Sequence, residues 1–345
     1  MSELRWNPLI ETWTITAANR QARPNMPKDY CPFCPGSGKV PDNYTVYVYP
    51  NDFPALSPNP PEPMFASTDL YPVEPLYGHC EVILFSPDHH GHLHSLPLHH
   101  TRELVDLWQA RFNHFRADPK VQYIYAFENR GEAVGVTMPH PHGQIYAFPY
   151  IPLKLIAELN SFKAHFAKTG RDMMGDINQA ELNDGRRIID EGAHFISYLP
   201  FFTDFPYGLF ITAKRMVSTF TDFTDAEKDE LGRMLKETSG MFDALFDKVF
   251  PYMMCLHQAP VNSPSYPDAD QYFRFHIEFY PPLRDANRIK YYASTETGAW
   301  AAANTRHVEE TAPEMRVALQ KFRQSDPELR ATGSGNNSTS STPVL

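Results

Sequence analysis

No stretch of this 345-residue chain approaches the ~18 consecutive apolar side chains that a membrane-spanning helix requires. The opening segment MSELRWNPLIETWTITAANR also has no apolar core of the kind a secretory signal carries. No membrane partner and a cytoplasmic location are therefore expected. An excess of basic charge is missing too. Lys and Arg number 31 against 41 Asp and Glu, a formal net charge of −10 at pH 7, whereas a nucleic-acid backbone demands a basic surface. No nucleic acid is expected, and any anionic ligand has to be met by a local group of Arg, Lys and backbone N–H. Cysteine is scarce: four residues in a chain of this length do not make a disulfide framework. Cys80 and Cys255 sit inside apolar runs and read as small buried hydrophobes. Cys31 and Cys34 form a Cys-x-x-Cys knuckle in YCPFCPGSGK, a spacing suited to metal or redox work.

What is present is a plan repeated twice. The length favours two domains or one fused pair. Residues 80–86 (CEVILFS) predict a strand. Residues 101–116 predict an amphipathic helix with Leu104, Leu107, Trp108, Arg111, Phe112 and Phe115 at helical spacing, followed by strands over 121–128 and 143–148. The second half offers a strand over 207–214, a helix from about 225 to 248 and strands over 252–258 and 273–280. That helix opens with a capping box from Thr224 to Glu227. Strand, helix, strand, strand, twice over, indicates a duplicated α+β fold with antiparallel sheets and packed helices, not a doubly wound sheet. The halves are placed at 1–175 and 176–330. Segments 35–64 and 160–192 read as connectors, and 331–345 reads as a low-complexity, disordered tail.

Chemistry concentrates in MPHPHGQIYAF, residues 138–148. In an extended strand, positions two apart face the same way, so His140, His142 and Gln144 are expected to project together. Pro141 keeps His140 out of the helical region and removes a ladder donor. Gly143 allows backbone to approach a bound group closely. The residues alone leave two readings open. One is a pair of structural metal ligands beside a satisfied glutamine. The other is a nucleophile: a neutral imidazole, with its pKa of ~6.5, can attack phosphorus without a separate base, and the Gln144 amide can donate to a phosphoryl oxygen. In FRFHIEFYPPL, Arg274, His276 and Glu278 alternate with Phe273, Phe275, Ile277 and Phe279, giving a polar face opposite an apolar one.

The run FENRGEAVGVTMPHPHGQIYAF, residues 127–148, resembles the active-site segment of the galactose-1-phosphate uridylyltransferase family, the His-Pro-His-Gly-Gln branch of the histidine-triad superfamily. The resemblance extends over most of residues 3–310. It implies a duplicated histidine-triad-like (HIT-like) unit and a uridylyl-histidine formed on His142. Gln144 would stabilise that intermediate in the place where the superfamily's hydrolases carry a third histidine. Glutamine exchanges no protons at neutral pH, which suits transfer between phosphate oxygens that need little proton help. The implied reaction exchanges the uridylyl group between UDP-glucose and galactose-1-phosphate, giving glucose-1-phosphate and UDP-galactose, in a homodimer with shared active sites. Rival readings are a nucleotide-sugar phosphorylase, a dinucleotide hydrolase and a catalytically silent nucleotide-binding protein.

The same resemblance implies ligands and contacts. A structural zinc would be held by Cys31, Cys34, His89 of the SPDH segment and His140, with His90, His92 and His94 remaining alternatives to His89. A second site, for iron or zinc, would use Glu158, His257 and His276, with Glu278 standing where a third histidine is expected; a carboxylate shifts such a site toward harder metals. Arg20 and Arg23 match residues near the nucleotide phosphates, and Asn51 and Asp52 match the uridine segment. Asn129 and Thr137 match phosphate or sugar contacts. In the 288–307 loop, expected to reach across the dimer, Lys290 is the phosphate candidate and Glu296 the sugar-hydroxyl candidate. Thr295 and Asn304 depart from the family's pattern there.

Overall fold

A computed structural model describes residues 2–17 and 30–333. Strands β1 (Ser2–Asn7), β2 (Thr12–Ala17) and β4 (Val73–Pro75) form a small sheet in the order β2-β1-β4. The remaining strands are β3 (Tyr47–Pro50), β5 (His79–Leu84), β6 (Tyr123–Arg130), β7 (His142–Phe148), β8 (Ile188–Glu191), β9 (Phe195–Tyr198), β10 (Leu209–Ala213), β11 (Tyr252–His257) and β12 (His276–Tyr280). They join in one antiparallel sheet ordered β3-β5-β7-β6-β11-β12-β10-β9-β8.

The repeat is explicit in this order. With α1 (Leu98–Arg116) and α4 (Asp225–Phe246), the two units run β5-α1-β6-β7 and β10-α4-β11-β12, and in each the third strand lies between the first and second. The registers match as well. Gln144 pairs with Val82 and Phe127, and Glu278 pairs with Phe210 and Cys255. The two units meet where β6 pairs with β11. The duplicated antiparallel α+β architecture is thus present, as one continuous sheet.

Period-two alternation decides the layers. One sheet face presents Ile83, Ala126, Ile145, Ile211, Leu256 and Ile277 to Trp108 and Phe112 of α1, Leu231 and Phe242 of α4, and Met315 and Leu319 of α6 (Val308–Ser325). The other face presents Tyr123, Tyr146 and Phe210 to Leu155, Leu159 and Phe162 of α2 (Leu153–Thr169) and Met174 of α3 (Met173–Asp184). The capping box of α4 forms as expected: Glu227 N–H donates to Thr224 Oγ1 at 3.3 Å and Thr224 N–H to Glu227 Oε2 at 2.7 Å. Short helices α5 (Ser294–Ala299) and α7 (Pro327–Gly333) complete the order. Among the described residues, no helix is long and apolar enough to cross a membrane.

Five expectations need correction. Segment 160–192 is not a connector: it holds most of α2, all of α3 and β8. Its apolar positions are few, so periodicity is weak, but its end signals are clear. Gly170 and Gly185 close the helices at φ 69° and 72°, and Asp172 caps α3 by accepting from Gly175 N–H at 2.7 Å. Segment 35–64 contains β3, which pairs with β5. In the last strand the ladder begins at His276, three residues later than expected, because Phe275 N–H is taken by the Val217 carbonyl outside the sheet. The boundary placed at 175/176 falls inside α3, and α7 runs into the expected tail as far as Gly333; residues 334–345 lie outside the described residues.

Candidate active site

On the face that α2 packs against, β7 carries His142 and Gln144 side by side. His142 Nδ1 lies 2.7 Å from the carbonyl oxygen of His140. A carbonyl can only accept, so Nδ1 carries the ring proton and the lone pair sits on Nε2. Two residues beyond the Phe127–Gln144 pair, Asn129 on β6 comes level with His142 on the same face. Tyr146 donates its hydroxyl to Gln144 Oε1 at 3.3 Å. Gly143 plays a part other than the one expected. A Cβ there would fall 2.8 Å from the Phe127 carbonyl oxygen and 2.8 Å from the Phe85 ring, so the close approach it permits is to protein and not to a ligand.

His142 stands between two cavities. The larger, of about 670 Å³, is lined by Asn129, Thr137, Met138 and His142 among others. The smaller, of about 70 Å³, is lined by Phe33, Tyr49, Asn51, Asp52, Val82 and Gln144, with Met138 and His142 shared. Tyr49 donates to Asp52 Oδ2 at 2.8 Å, and Asn51 Oδ1 accepts from Phe53 N–H at 2.9 Å. Sequence-predicted Asn51, Asp52, Asn129 and Thr137 therefore gather around the nucleophile candidate.

His140 departs from the expectation that it projects with His142. It precedes the strand, is 1% exposed, and turns its ring to the cysteines. Its Nδ1 lies 3.8 Å from Cys31 Sγ and 3.7 Å from Cys34 Sγ, and His89 Nδ1 lies 3.4 Å from Cys34 Sγ. The four ligand atoms are all within 4.8 Å of one another, a group that could hold a metal ion. His140 Nε2 donates to the Ser86 carbonyl at 2.8 Å, which leaves the Nδ1 lone pair facing the sulfurs. Tyr44 braces the same spot, donating to the Phe33 carbonyl at 2.7 Å and lying 3.2 Å from His140 Nε2. Burial draws the His140 imidazole down to about 4, against the pull of the Ser86 carbonyl, and keeps it neutral, as a ligand must be. Burial pushes the Cys31 thiol up, so its thiolate form needs a cation. Of the histidines open as alternatives, His92 and His94 stack on each other at 5.3 Å, and His94 turns to Ser239, 3.4 Å away.

Further along the same face Glu158, His257, His276 and Glu278 form a second group that could hold a metal ion. His257 Nδ1 donates to Glu158 Oε2 at 2.9 Å, and Glu278 lies 3.7 Å from His257 Nε2 and 3.5 Å from His276 Nε2. His276 Nδ1 donates to the Arg274 carbonyl at 2.9 Å, repeating the arrangement of His142 on His140. Lys154, one helical turn before Glu158, bonds Glu278 and Tyr280 and lies 3.5 Å from Glu158. Burial alone would raise the Glu278 carboxyl, but the His257 and Lys154 charges hold it well below the usual carboxylate range.

The structure does not bring Lys290 or Glu296 to His142: neither lines either cavity. Lys290 Nζ lies 3.4 Å from Asp204 and 4.7 Å from the ring centres of both Phe205 and Tyr292, and Glu296 is engaged with Thr295 and the Ala293 N–H. Arg20 and Arg23 lie outside the described residues. Sequence reasoning missed Tyr44, Tyr146 and Lys154. Two of them carried a usable signal, Tyr146 two positions after Gln144 on a strand and Lys154 four before Glu158 on a helix.

Comparison with known proteins adds a family. The family model described as galactose-1-phosphate uridyl transferase, N-terminal domain, matches residues 1–152, and the corresponding C-terminal domain matches residues 158–312. The galactose-1-phosphate uridylyltransferase of Thermotoga maritima is 38% identical over 317 residues, covering 92% of this chain and 98% of the relative. That of Haemophilus influenzae is 32% identical over 297 residues, covering 81% and 83%. A solved uridylyltransferase structure superimposes with a TM-score of 0.84 at 30% identity, over 92% of this chain and 99% of that one. An ADP-glucose phosphorylase from Arabidopsis thaliana shares the fold at a TM-score of 0.70 and 24% identity, over 92% and 99% of the two chains.

Proposed function

The chain belongs to the galactose-1-phosphate uridylyltransferase family, and we propose that it transfers the uridylyl group through a covalent intermediate on His142 Nε2. The observation that carries this reading is the 2.7 Å bond from His142 Nδ1 to the His140 carbonyl. It commits the ring proton to one nitrogen and leaves the other as the nucleophile between the two cavities.

The first displacement forms a bond from Nε2 to the α-phosphorus of UDP-glucose and breaks the bond from that phosphorus to the bridging oxygen. Glucose-1-phosphate departs with the electron pair and needs no proton. The imidazole now carries positive charge, which strengthens its Nδ1–H bond to the His140 carbonyl. The Gln144 amide donates to a phosphoryl oxygen where negative charge collects. A phosphate oxygen of galactose-1-phosphate then attacks phosphorus, the N–P bond breaks, and the pair returns to Nε2. Two in-line displacements give ping-pong kinetics and net retention at phosphorus. Asn51 and Asp52 in the smaller cavity suit the donors and acceptors of uridine, and Asn129 and Thr137 in the larger one suit phosphate or sugar. Arg20 and Arg23 are assigned to the nucleotide phosphates.

The Cys31, Cys34, His89 and His140 set fits zinc, which favours four N/S ligands in a closed tetrahedron. When bound, zinc supplies an anchor that fixes His140 and, through its carbonyl, the ring of His142. Glu158, His257, His276 and Glu278 fit a second cation of the iron or zinc kind, away from the reacting phosphorus. Lys290 and Glu296 are assigned to the sugar phosphate of a neighbouring subunit in a homodimer, since neither lines a cavity with His142 in its own chain. The two copies of the unit, β5-α1-β6-β7 and β10-α4-β11-β12, are read as lying one in each of the halves 1–175 and 176–330. A cytoplasmic location suits a pair of thiols that must stay reduced to ligate.

The test is an intact mass after brief exposure to UDP-glucose, kept from acid because a phosphoramidate is acid-labile. A gain of one uridylyl group that vanishes on adding galactose-1-phosphate and is absent in His142→Ala is expected. Folded, metal-loaded protein that turns substrate over without ever gaining this mass would sink the covalent reading.

A further inference from the structure

We propose that Tyr146 is the positioning residue that decides which end of the Gln144 amide meets the phosphoryl group, an assignment that rests on the uridylyl transfer proposed above. A glutamine amide has two ends of nearly the same shape, an oxygen that accepts and an NH2 that donates. Only the donor end stabilises charge on a phosphoryl oxygen; the flipped amide sets one oxygen against another. Nothing in the Gln144 side chain itself selects between them.

Tyr146 does. It lies two residues further along β7 and so on the same face, and its hydroxyl donates to Gln144 Oε1 at 3.3 Å. With Oε1 held there, the NH2 end is the one left to the cavity that Gln144 shares with His142. The tyrosine is itself held: its ring is 8% exposed, meets Phe127 edge-on at 5.1 Å and lies 5.9 Å from Phe148. A rigid apolar seat keeps the hydroxyl at one place, and a hydrogen bond in low dielectric discriminates more strongly between orientations than one in water.

The second half of the molecule carries a tyrosine at the matching level. Glu278 stands at the level of Gln144, and Tyr280 stands at the level of Tyr146. There the brace is relayed, since Lys154 bonds both Glu278 and the Tyr280 hydroxyl. In the first copy the tyrosine two residues on bonds the central polar side chain directly, and in the second it shares the Lys154 ammonium with it.

Tyr146→Phe removes the hydroxyl and keeps the ring. The rate at which the protein gains a uridylyl group from UDP-glucose, and kcat with it, should fall about tenfold, with KM for UDP-glucose changed less than about twofold. The melting temperature should stay within a few degrees. In a Gln144→Ala background the same substitution should cost nothing further, because there is no amide left to orient. An unchanged rate in Tyr146→Phe would overturn the assignment, as would an equal loss in both backgrounds or a loss confined to KM or to melting temperature. A wild-type protein that never gains the uridylyl group would instead sink the transfer reading on which the assignment stands.

Discussion

Strands β7 and β12 hold the same place in the two copies of the unit, and each begins with a histidine whose Nδ1 donates to the carbonyl two residues earlier, at 2.7 Å for His142 and 2.9 Å for His276. Their surroundings then diverge. Beside His142 stand Gln144, which is neutral, and two cavities. Beside His276 stand Glu278, Glu158 and His257, and His276 itself is 1% exposed. Level with His142 on the next strand is Asn129; level with His276 is His257. One backbone arrangement thus serves two ends. With a neutral amide and open space it suits the proposed attack of His142 on an anionic phosphate. With two carboxylates it gathers a group that could hold a metal ion, and their negative charge would repel a phosphate.

The largest effect should come from the paired histidines. His142→Ala should lower transfer by at least about 10⁴-fold, as loss of a covalent nucleophile does, while leaving the melting temperature near wild type. His276→Ala should do the reverse, still gaining a uridylyl group while melting earlier. Equal activity losses in the two variants would erase the division of labour between the strands. Next in size is the anchor behind His142. Cys34→Ser should release one metal equivalent, measured by elemental analysis, and lower kcat by about 10- to 100-fold through the loosened His140, the usual cost of disturbing a group that orients a site.

A smaller effect tests the divergence directly. Glu278→Gln gives β12 the amide of β7. It removes a carboxylate that Lys154, His257 and His276 all face, and breaking one partner out of such a buried group typically costs about 3 kcal/mol. Chemical denaturation should show that loss, and the rate of uridylyl gain should not change. A Glu278→Gln protein as stable as wild type would mean that the cluster balances its charge without this residue.

How much of this was legible in the chain varies by region. The two strand-helix-strand-strand units could be read because their core positions alternate or recur cleanly: Ile145 and Ala147 bury on one side of β7 while His142 and Gln144 stay at the site. Helix α6 is hidden in sequence because Pro313 interrupts the run of Val308, Ala312, Met315 and Leu319 that it buries. Most of α2 and all of α3 read in sequence as a connector because most of their residues are polar, although Gly170, Asp172 and Gly185 mark their ends. The metal-ligand sets and the uridine segment came from family resemblance, and spacing alone gave only half a site at Cys31 and Cys34. What no local pattern could supply is side-chain direction: His140 turning away from His142, or Lys290 turning to Asp204 instead of to the nucleophile, depends on packing between segments far apart in sequence.

The smallest predicted effect separates the two copies on the opposite face of the sheet. Glu128 and Leu256 are equivalent positions on β6 and β11, and both are buried. Where the second copy has a hydrocarbon, the first has a carboxyl that accepts from the Tyr252 hydroxyl at 3.0 Å. Burial raises this carboxyl to about 7, although the Arg130 charge and the Tyr252 bond oppose the shift. Arg130 cannot fully offset burial because it is committed to Asp243, with bonds of 2.6 and 2.7 Å. The unfolded chain ionises Glu128 near the ordinary glutamate value, so the folded state holds the proton more tightly. The contribution to stability is present at low pH and declines as pH rises through the interval from the ordinary value to about 7. Between about pH 5 and pH 8 this group should take away about 2 kcal/mol. Glu128→Gln, which fixes the neutral shape, should flatten that part of the profile and be more stable than wild type at pH 8 but not at pH 5. Denaturation midpoints of both proteins across this range check the sign, and parallel profiles would mean that Glu128 is ionised in the fold after all.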